Sequence, residues 1–144
     1  MGSLTTKLTL AGTAADYGAA INLATSKILT VQKPFEGISR EVVTTTGANH
    51  KILPNVDARR FVYVKHTGVD TTGAATTADL HVETYTDNAS GEQAIMVLKT
   101  GEFAFFPFDN AIASPDAGGD DNVVQLQASS GTIVAEYSYY TVAS

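Results

Sequence analysis

The stretch from Lys99 to Asn110 reads KTGEFAFFPFDN and places four of the chain's six phenylalanines within six residues. As a β-strand it is apolar on both faces, because successive side chains of a strand point to opposite sides. A strand with one face in water alternates apolar with polar residues instead. Pro107 cannot donate a hydrogen bond to a neighbouring strand, so we predict that this strand lies at a sheet edge or bends there.

The four phenylalanines of this stretch divide into two pairs. Phe103 and Phe105 share one face of the predicted strand, and Phe106 and Phe108 share the other. In one interpretation the strand crosses between the two sheets of a sandwich, and both pairs are core. In a second, Phe106 or Phe108 points outwards and anchors a neighbouring subunit, since aromatic residues are enriched at such contacts. A small-molecule pocket is a third interpretation, with few polar groups to support it.

The aromatic residues near the end of the chain allow similar alternatives. On a strand, Tyr137 and Tyr139 share one face. Packing between sheets or between subunits explains them most simply, and a sugar-stacking platform is the alternative. The sequence therefore predicts a protein interface that contains Phe106, Phe108, Tyr137 and Tyr139.

Alternation with a period of two dominates the rest of the chain. The segments are rich in Val, Ile, Thr, Tyr and Phe, which suit a pleated and half-buried surface, and turn residues separate them. Residues 14–24 are rich in alanine but lack a helical apolar stripe, so we predict a loop there. The pattern predicts an all-β protein, a single-domain β-sandwich or jelly roll of about eight to ten short antiparallel strands over residues 1–144. The predicted strands are 4–10, 27–31, 38–46, 61–66, 79–86, 94–98, 103–108, 123–127 and 133–142.

Composition excludes several classes of function. The 144 residues carry a net charge of −6, and the nine Lys and Arg residues form no basic stripe, so we predict no binding to nucleic acid. The absence of cysteine excludes disulfides, thiolate metal sites and cysteine nucleophiles, and fits maturation in a reducing cytosol. The N-terminal segment has neither an apolar span nor a secretory signal, so we predict no membrane association.

Candidate catalytic and metal-binding patterns are weak. Only His81 is followed two residues later by a further ligand type, Glu83, and a cupin-like metal centre needs a second histidine in that region. The acidic loop from Asp116 to Asn122 reads DAGGDDN and lacks the EF-hand order, so a turn is favoured over a calcium site. No G-x-S-x-G, P-loop or Rossmann fingerprint occurs. We therefore predict no enzyme activity, no metal and no cofactor.

Four motifs together resemble those of a known group of proteins. They are VYVKHTG at 62–68, ADLHVET at 78–84, AIMVLKTGEFAFFPF at 94–108 and VVQLQASSGTIVAEY at 123–137. Their order resembles that of small β-rich virion proteins of tailed bacteriophages, especially phages of marine and cyanobacterial type. One departure is His66, where the group is expected to have asparagine. The resemblance therefore leaves open which side chain hydrogen-bonds within that turn.

The resemblance implies a structural role in a virion. The expectation is a capsid decoration or cement protein on the capsid surface that binds the major capsid protein and itself, as a homotrimer. A tail, neck or fibre-associated protein with a receptor- or carbohydrate-binding role is the alternative. The low share of charged residues, 17%, suits a surface that other protein covers. Such families have no active site, so the resemblance implies no catalytic residues.

Overall fold

The computed structural model describes most of the chain as β-strand. The described residues are 2–13, 20–32, 37–45, 50–53, 59–84, 93–108 and 124–143. They form ten strands and no helix, so the prediction of an all-β fold is confirmed. The strands are β1 (Gly2–Gly12), β2 (Ile21–Val31), β3 (Ser39–Thr44), β4 (His50–Lys51), β5 (Arg60–His66), β6 (Leu80–Thr84), β7 (Gln93–Leu98), β8 (Phe103–Phe108), β9 (Val124–Ala128) and β10 (Thr132–Thr141).

The chain forms two compact units. The first contains Met1–Pro34 with Val142–Ser144, and the second contains Phe35–Thr141. The prediction of a sandwich therefore applies to the second unit, and the first has a sheet of its own. That residues 1–144 form a single β-sandwich domain stays a prediction.

The first unit is a two-stranded antiparallel ribbon. Its strands β1 and β2 pair one-to-one from Gly2↔Val31 to Gly12↔Ile21 without a register shift. Eleven residues per strand correspond to a length of about 36 Å at ~3.3 Å per residue. At the end of β2, Val31 forms a bridge with Val142. We name this pair of strands the N-terminal ribbon.

The second unit contains two four-stranded antiparallel sheets. Their strand orders are β3-β10-β5-β8 and β4-β9-β6-β7. The pairing is nested along the chain: β6 pairs with β7, β5 with β8, β4 with β9 and β3 with β10. Counted outwards from the β6–β7 connection, the first strand on one side therefore pairs with the first on the other, the second with the second, and so on to the fourth.

One apolar core joins these two sheets. On β5, Val62 and Val64 are fully buried and alternate with half-buried residues, as the period of two requires. On β6, Leu80 and Val82 are buried in the same cluster. Because β-branched and aliphatic side chains occupy the inward positions of both sheets, burying them drives the sheets together.

The turn after β5 is held by its histidine. The His66 side chain is fully buried; its Nδ1 accepts the Gly68 N–H at 2.9 Å, and its Nε2 lies 2.8 Å from the Ala78 carbonyl oxygen. An imidazole nitrogen that accepts a hydrogen bond carries no proton, so the proton is on Nε2 and is donated to Ala78. His66 thus supplies the side-chain hydrogen bond that asparagine was expected to make.

A glycine is required in this turn. Gly68 has φ +88°, and a Cβ at this position would lie 3.0 Å from Cγ2 of Thr100. Residues other than glycine rarely adopt this backbone conformation. The turn therefore joins β5 closely to the connection that precedes β8.

Candidate functional site

The outward face of the β3-β10-β5-β8 sheet carries a cluster of aromatic side chains. The register pairs Tyr63 with Phe105, and pairs Phe61 with Pro107 on one side and Tyr140 on the other. Residues that pair directly share a face of the sheet. We call the surface formed by these aromatic side chains the outer aromatic face; its members are Phe61, Tyr63, Phe103, Phe105 and Tyr140.

Two phenylalanines of the outer aromatic face are well exposed. Phe103 is 65% exposed and Phe105 is 37% exposed. Phe105 stacks on Phe61 with centroids 5.4 Å apart and an interplanar angle of 17°, and Phe103 lies 6.5 Å from the ring of Tyr63. These ring contacts help to orient the exposed phenylalanines on the sheet.

Charged residues border this face. Arg40 donates from Nε and Nη2 to Oε1 of Glu136, at 2.8 and 2.6 Å, and Nζ of Lys65 lies 4.0 Å from the other carboxylate oxygen.

Burial raises the pKa of Tyr63, and the charges of Glu136 and Tyr140 raise it further. Tyr63 therefore keeps its hydroxyl proton at neutral pH and can donate a hydrogen bond beside the apolar rings.

The predicted interface residues lie on the opposite face of this sheet. Phe108 is 3% exposed and belongs to the core, and Phe106, Tyr137 and Tyr139 are partly buried against it. The outward orientation that one interpretation gave to Phe106 and Phe108 is therefore wrong. A role for these four residues in a protein interface stays a prediction, but the side chains that β8 leaves in solvent are Phe103 and Phe105.

Register explains which phenylalanines point inwards. Phe106 pairs with Val62 of β5, and Tyr137 pairs with Val64. Because those valines are core, their partners share the inward face. The signal was present on β10, because Tyr137 and Tyr139 lie four and six residues after the buried Ile133 and the pairing of β10 with β5 has no register shift. On β8 both sets are phenylalanine, so that strand alone does not mark its solvent side.

The candidate metal pair His81 and Glu83 does meet in the structure. Nδ1 of His81 lies 3.7 Å from Oε1 of Glu83, and the other carboxylate oxygen accepts a hydrogen bond from Gln125 at 3.1 Å. Over the described ranges no group of three or more His, Cys, Asp or Glu side chains is placed to hold a metal ion. The acidic loop from Asp116 to Asn122 lies outside the described residues, so its turn assignment stays a prediction.

A second histidine–carboxylate pair was not foreseen from the sequence. Nδ1 of His50 on β4 lies 2.6 Å from Oε1 of Glu41 on β3, and Nε2 accepts the Thr44 N–H at 3.3 Å. Both ring nitrogens are thus engaged within the protein. The pair ties β3 to β4, and its ring offers no vacant nitrogen to act as a general base.

Comparisons with known proteins do not assign a function. No family model, no curated protein and no solved structure matches the chain. In the part of the chain that the structure describes, no helix is long and apolar enough to cross a membrane. The outer aromatic face is accordingly the feature on which a functional proposal rests.

Proposed function

We propose that this protein is a non-enzymatic virion structural protein of a tailed bacteriophage, and specifically a capsid decoration or cement protein. It binds the major capsid protein lattice and stabilises it from the capsid surface. The observation that carries the proposal is the outer aromatic face, where Phe103 and Phe105 stand exposed on a rigid sheet. Monomeric soluble proteins rarely leave such rings together in water unless they contact a partner.

The strand order supports this proposal. Two four-stranded sheets with nested antiparallel pairing support a jelly roll, and we propose that architecture for the second unit. Jelly rolls are used in viral capsid proteins and in lectin domains. The four sequence motifs that resemble phage virion proteins point to the first of these uses.

The energetics of docking favour a protein partner. An aromatic side chain at the centre of a protein interface contributes about 2 kcal/mol or more when it is fully desolvated. The ion pair of Arg40 with Glu136 at the border contributes little to affinity, because it is exposed to water, but it helps to fix orientation. A cement protein also binds its own copies, and we propose a homotrimer on the capsid lattice.

A receptor- or carbohydrate-binding protein of the tail, neck or fibre is the second candidate. The observation that favours it is the pair of neighbouring exposed rings, since sugars stack on aromatic faces. Phe105 and Phe61, however, already cover one face of each other's ring. The ring surface that remains is therefore better suited to the flat surface of a protein than to a stacked sugar.

Binding to capsids distinguishes the two candidates. Phage capsids that lack this protein are incubated with the wild type and with the double variant Phe103→Ala/Phe105→Ala, and bound copies are counted per capsid. We expect the wild type to saturate the lattice and the variant to bind at least about 30-fold more weakly, the equivalent of ~2 kcal/mol. Val97→Ala, which trims an exposed valine on the other sheet, is the matched control and should bind as the wild type does.

Two results would contradict the proposal. The first is a wild type that does not bind capsids in high copy number. The second is capsid binding that survives the double substitution unchanged, which would exclude the outer aromatic face as the contact. Glycan binding that is lost in the same variant would support the second candidate instead.

A further inference from the structure

Over the described residues, the N-terminal ribbon has a free edge on β1 that lacks the usual protection against pairing. Strand β1 pairs with β2 on one side, and no other described strand pairs with it. Exposed edge strands are normally short, bulged, charged or interrupted by proline, because an open edge is a template for another strand. β1 is eleven residues long and reads GSLTTKLTLAG, with one lysine and no proline, and its register has no bulge.

The edges of the sandwich do carry such protection. β4 has two residues, and β8 contains Pro107. β3 carries Arg40 and Glu41 within its six residues. In β7 the pairing shifts opposite Val82 and Glu83, so Ile95 has no partner on β6. Every edge of the two larger sheets is therefore poor at accepting a strand, unlike the outer edges of the N-terminal ribbon.

One face of the ribbon carries three exposed leucines. Leu10 pairs directly with Leu23, and Leu8 lies on the same face because it is two residues from Leu10. All three leucines are about half exposed. A two-stranded hairpin is marginally stable in water, and a sheet of three or more strands with an apolar face is needed for independent stability.

We infer that two copies of the chain join through their ribbons, with β1 of one copy pairing antiparallel to β1 of the other. A second copy is the occupant that the structure favours, because its sandwich edges are protected and its β1 edge is equally open. The result is one four-stranded sheet in the order β2-β1-β1-β2 about a two-fold axis. This inference does not rest on the proposed function.

Charge and side-chain pattern select the register of this pairing. Centring the axis on Lys7 would place two lysines opposite each other, which is unfavourable. Centring it on Leu8 pairs Leu8 with its own copy, Lys7 with Thr9, and Thr6 with Leu10. The leucines of both ribbons then form one continuous apolar row, and residues 4–12 pair over their whole length. The outer edge of β2 is less suitable, because Ala143 already donates to the Thr30 carbonyl at 3.0 Å.

The absence of cysteine makes this geometry directly testable. Leu8→Cys introduces one thiol per copy, and directly opposed residues of antiparallel strands bring Cβ atoms close to disulfide distance. On mild oxidation we expect a cross-linked dimer on a non-reducing gel. Ile28→Cys is the control: its position is 70% exposed but lies on β2 and on the other face, so it should stay monomeric on the gel.

Sedimentation of uncross-linked protein supplies the second measurement. Leu8→Lys would oppose two charges across the axis, and we expect it to separate the paired copies, which lowers the mass of the wild-type assembly or raises its dissociation constant at least tenfold. Ile28→Lys makes the same change outside the pairing and should leave the mass unchanged. A circular dichroism spectrum that matches the wild type shows that each variant is folded.

Two outcomes would overturn the inference. One is that wild-type and Leu8→Lys proteins sediment with the same mass. This would also be the result if β1 pairs with a different protein. The other is equal cross-linking of the Leu8→Cys and Ile28→Cys variants, which would show random collision. Neither outcome affects the capsid-binding test, because that test varies residues of the second unit.

Discussion

Replacing Phe108 and Phe103 by alanine, one at a time, tests how β8 is oriented. Both residues are phenylalanines of the same strand, but Phe108 is 3% exposed and Phe103 is 65% exposed. Removing a fully buried phenylalanine loses about 1.5–3 kcal/mol of transfer free energy. The cavity left behind brings the total for Phe108→Ala to ~3–5 kcal/mol.

Phe103→Ala should be far milder. Most of this ring is already in water, so little transfer free energy is lost. Its contact with Tyr63, at a centroid distance of 6.5 Å, is worth about 0.5–1.5 kcal/mol at most. We expect the free energy of unfolding to fall by no more than ~1.5 kcal/mol.

The free energy of unfolding is measured by guanidinium titration of each variant, followed by circular dichroism. A loss of 3 kcal/mol lowers the folding equilibrium constant roughly 150-fold. The slopes of the titrations should agree, since a changed slope would indicate an altered denatured state. Equal losses for the two variants, or a greater loss for Phe103→Ala, would refute the assigned orientation of β8 and with it the outer aromatic face.

Three further predictions concern the turns and the absence of metal. Gly68→Ala should destabilise the protein by about 1–3 kcal/mol more than Gly73→Ala, measured by thermal melting. Both glycines have positive φ, but only at Gly68 would the new Cβ lie 3.0 Å from Cγ2 of Thr100. Equal losses of stability in the two variants would contradict this. Hydrogen bonds from the hydroxyl and the backbone N–H of Thr72 hold the pKa of Asp70 below 3.8. Thr72→Ala should therefore raise the pKa of Asp70 towards 3.8, as measured by NMR titration of its carboxyl group. An unchanged pKa would exclude the hydroxyl hydrogen bond as the cause. Because the folded pKa is lowered, the associated stabilisation is complete above pH 3.8 and is lost as the pH falls through the folded pKa. EDTA should leave the melting temperature unchanged, whereas a fall of many degrees would indicate a calcium site at Asp116, Asp120 and Asp121.

The strands of the sandwich could be predicted where one face of a strand is aliphatic. In β5 the valines at 62 and 64 alternate with other residues and mark the core side. In β2 the sequence was misleading, because residues 21–24 follow an alanine-rich segment and were predicted as loop. They form strand because β1 supplies a partner for every residue from Ile21 to Val31, and pairing of this kind overrides local preference.

The candidate site could be predicted only in part. The aromatic density of β8 was visible in the sequence, and so was its division into Phe103 with Phe105 and Phe106 with Phe108. Which pair faces solvent depends on the register with β5, where Val62 pairs with Phe106. Register is a long-range property that a single strand does not encode when all its large residues are alike.

The nested order of the strands also constrains how the protein is made. In its sheet, β10 lies between β3 and β5, and Glu136 of β10 binds Arg40, 96 residues earlier in the chain. Among the described strands, β3 must therefore wait for β10 before its sheet hydrogen bonds can form, and β5 must wait for β10 before it is paired on both sides. Contacts so distant in sequence slow folding, and at ~5–20 residues per second on the ribosome the unpaired strands stay open for several seconds. We expect chaperones to bind the nascent chain during that interval, and expression at low temperature to raise the yield of folded protein.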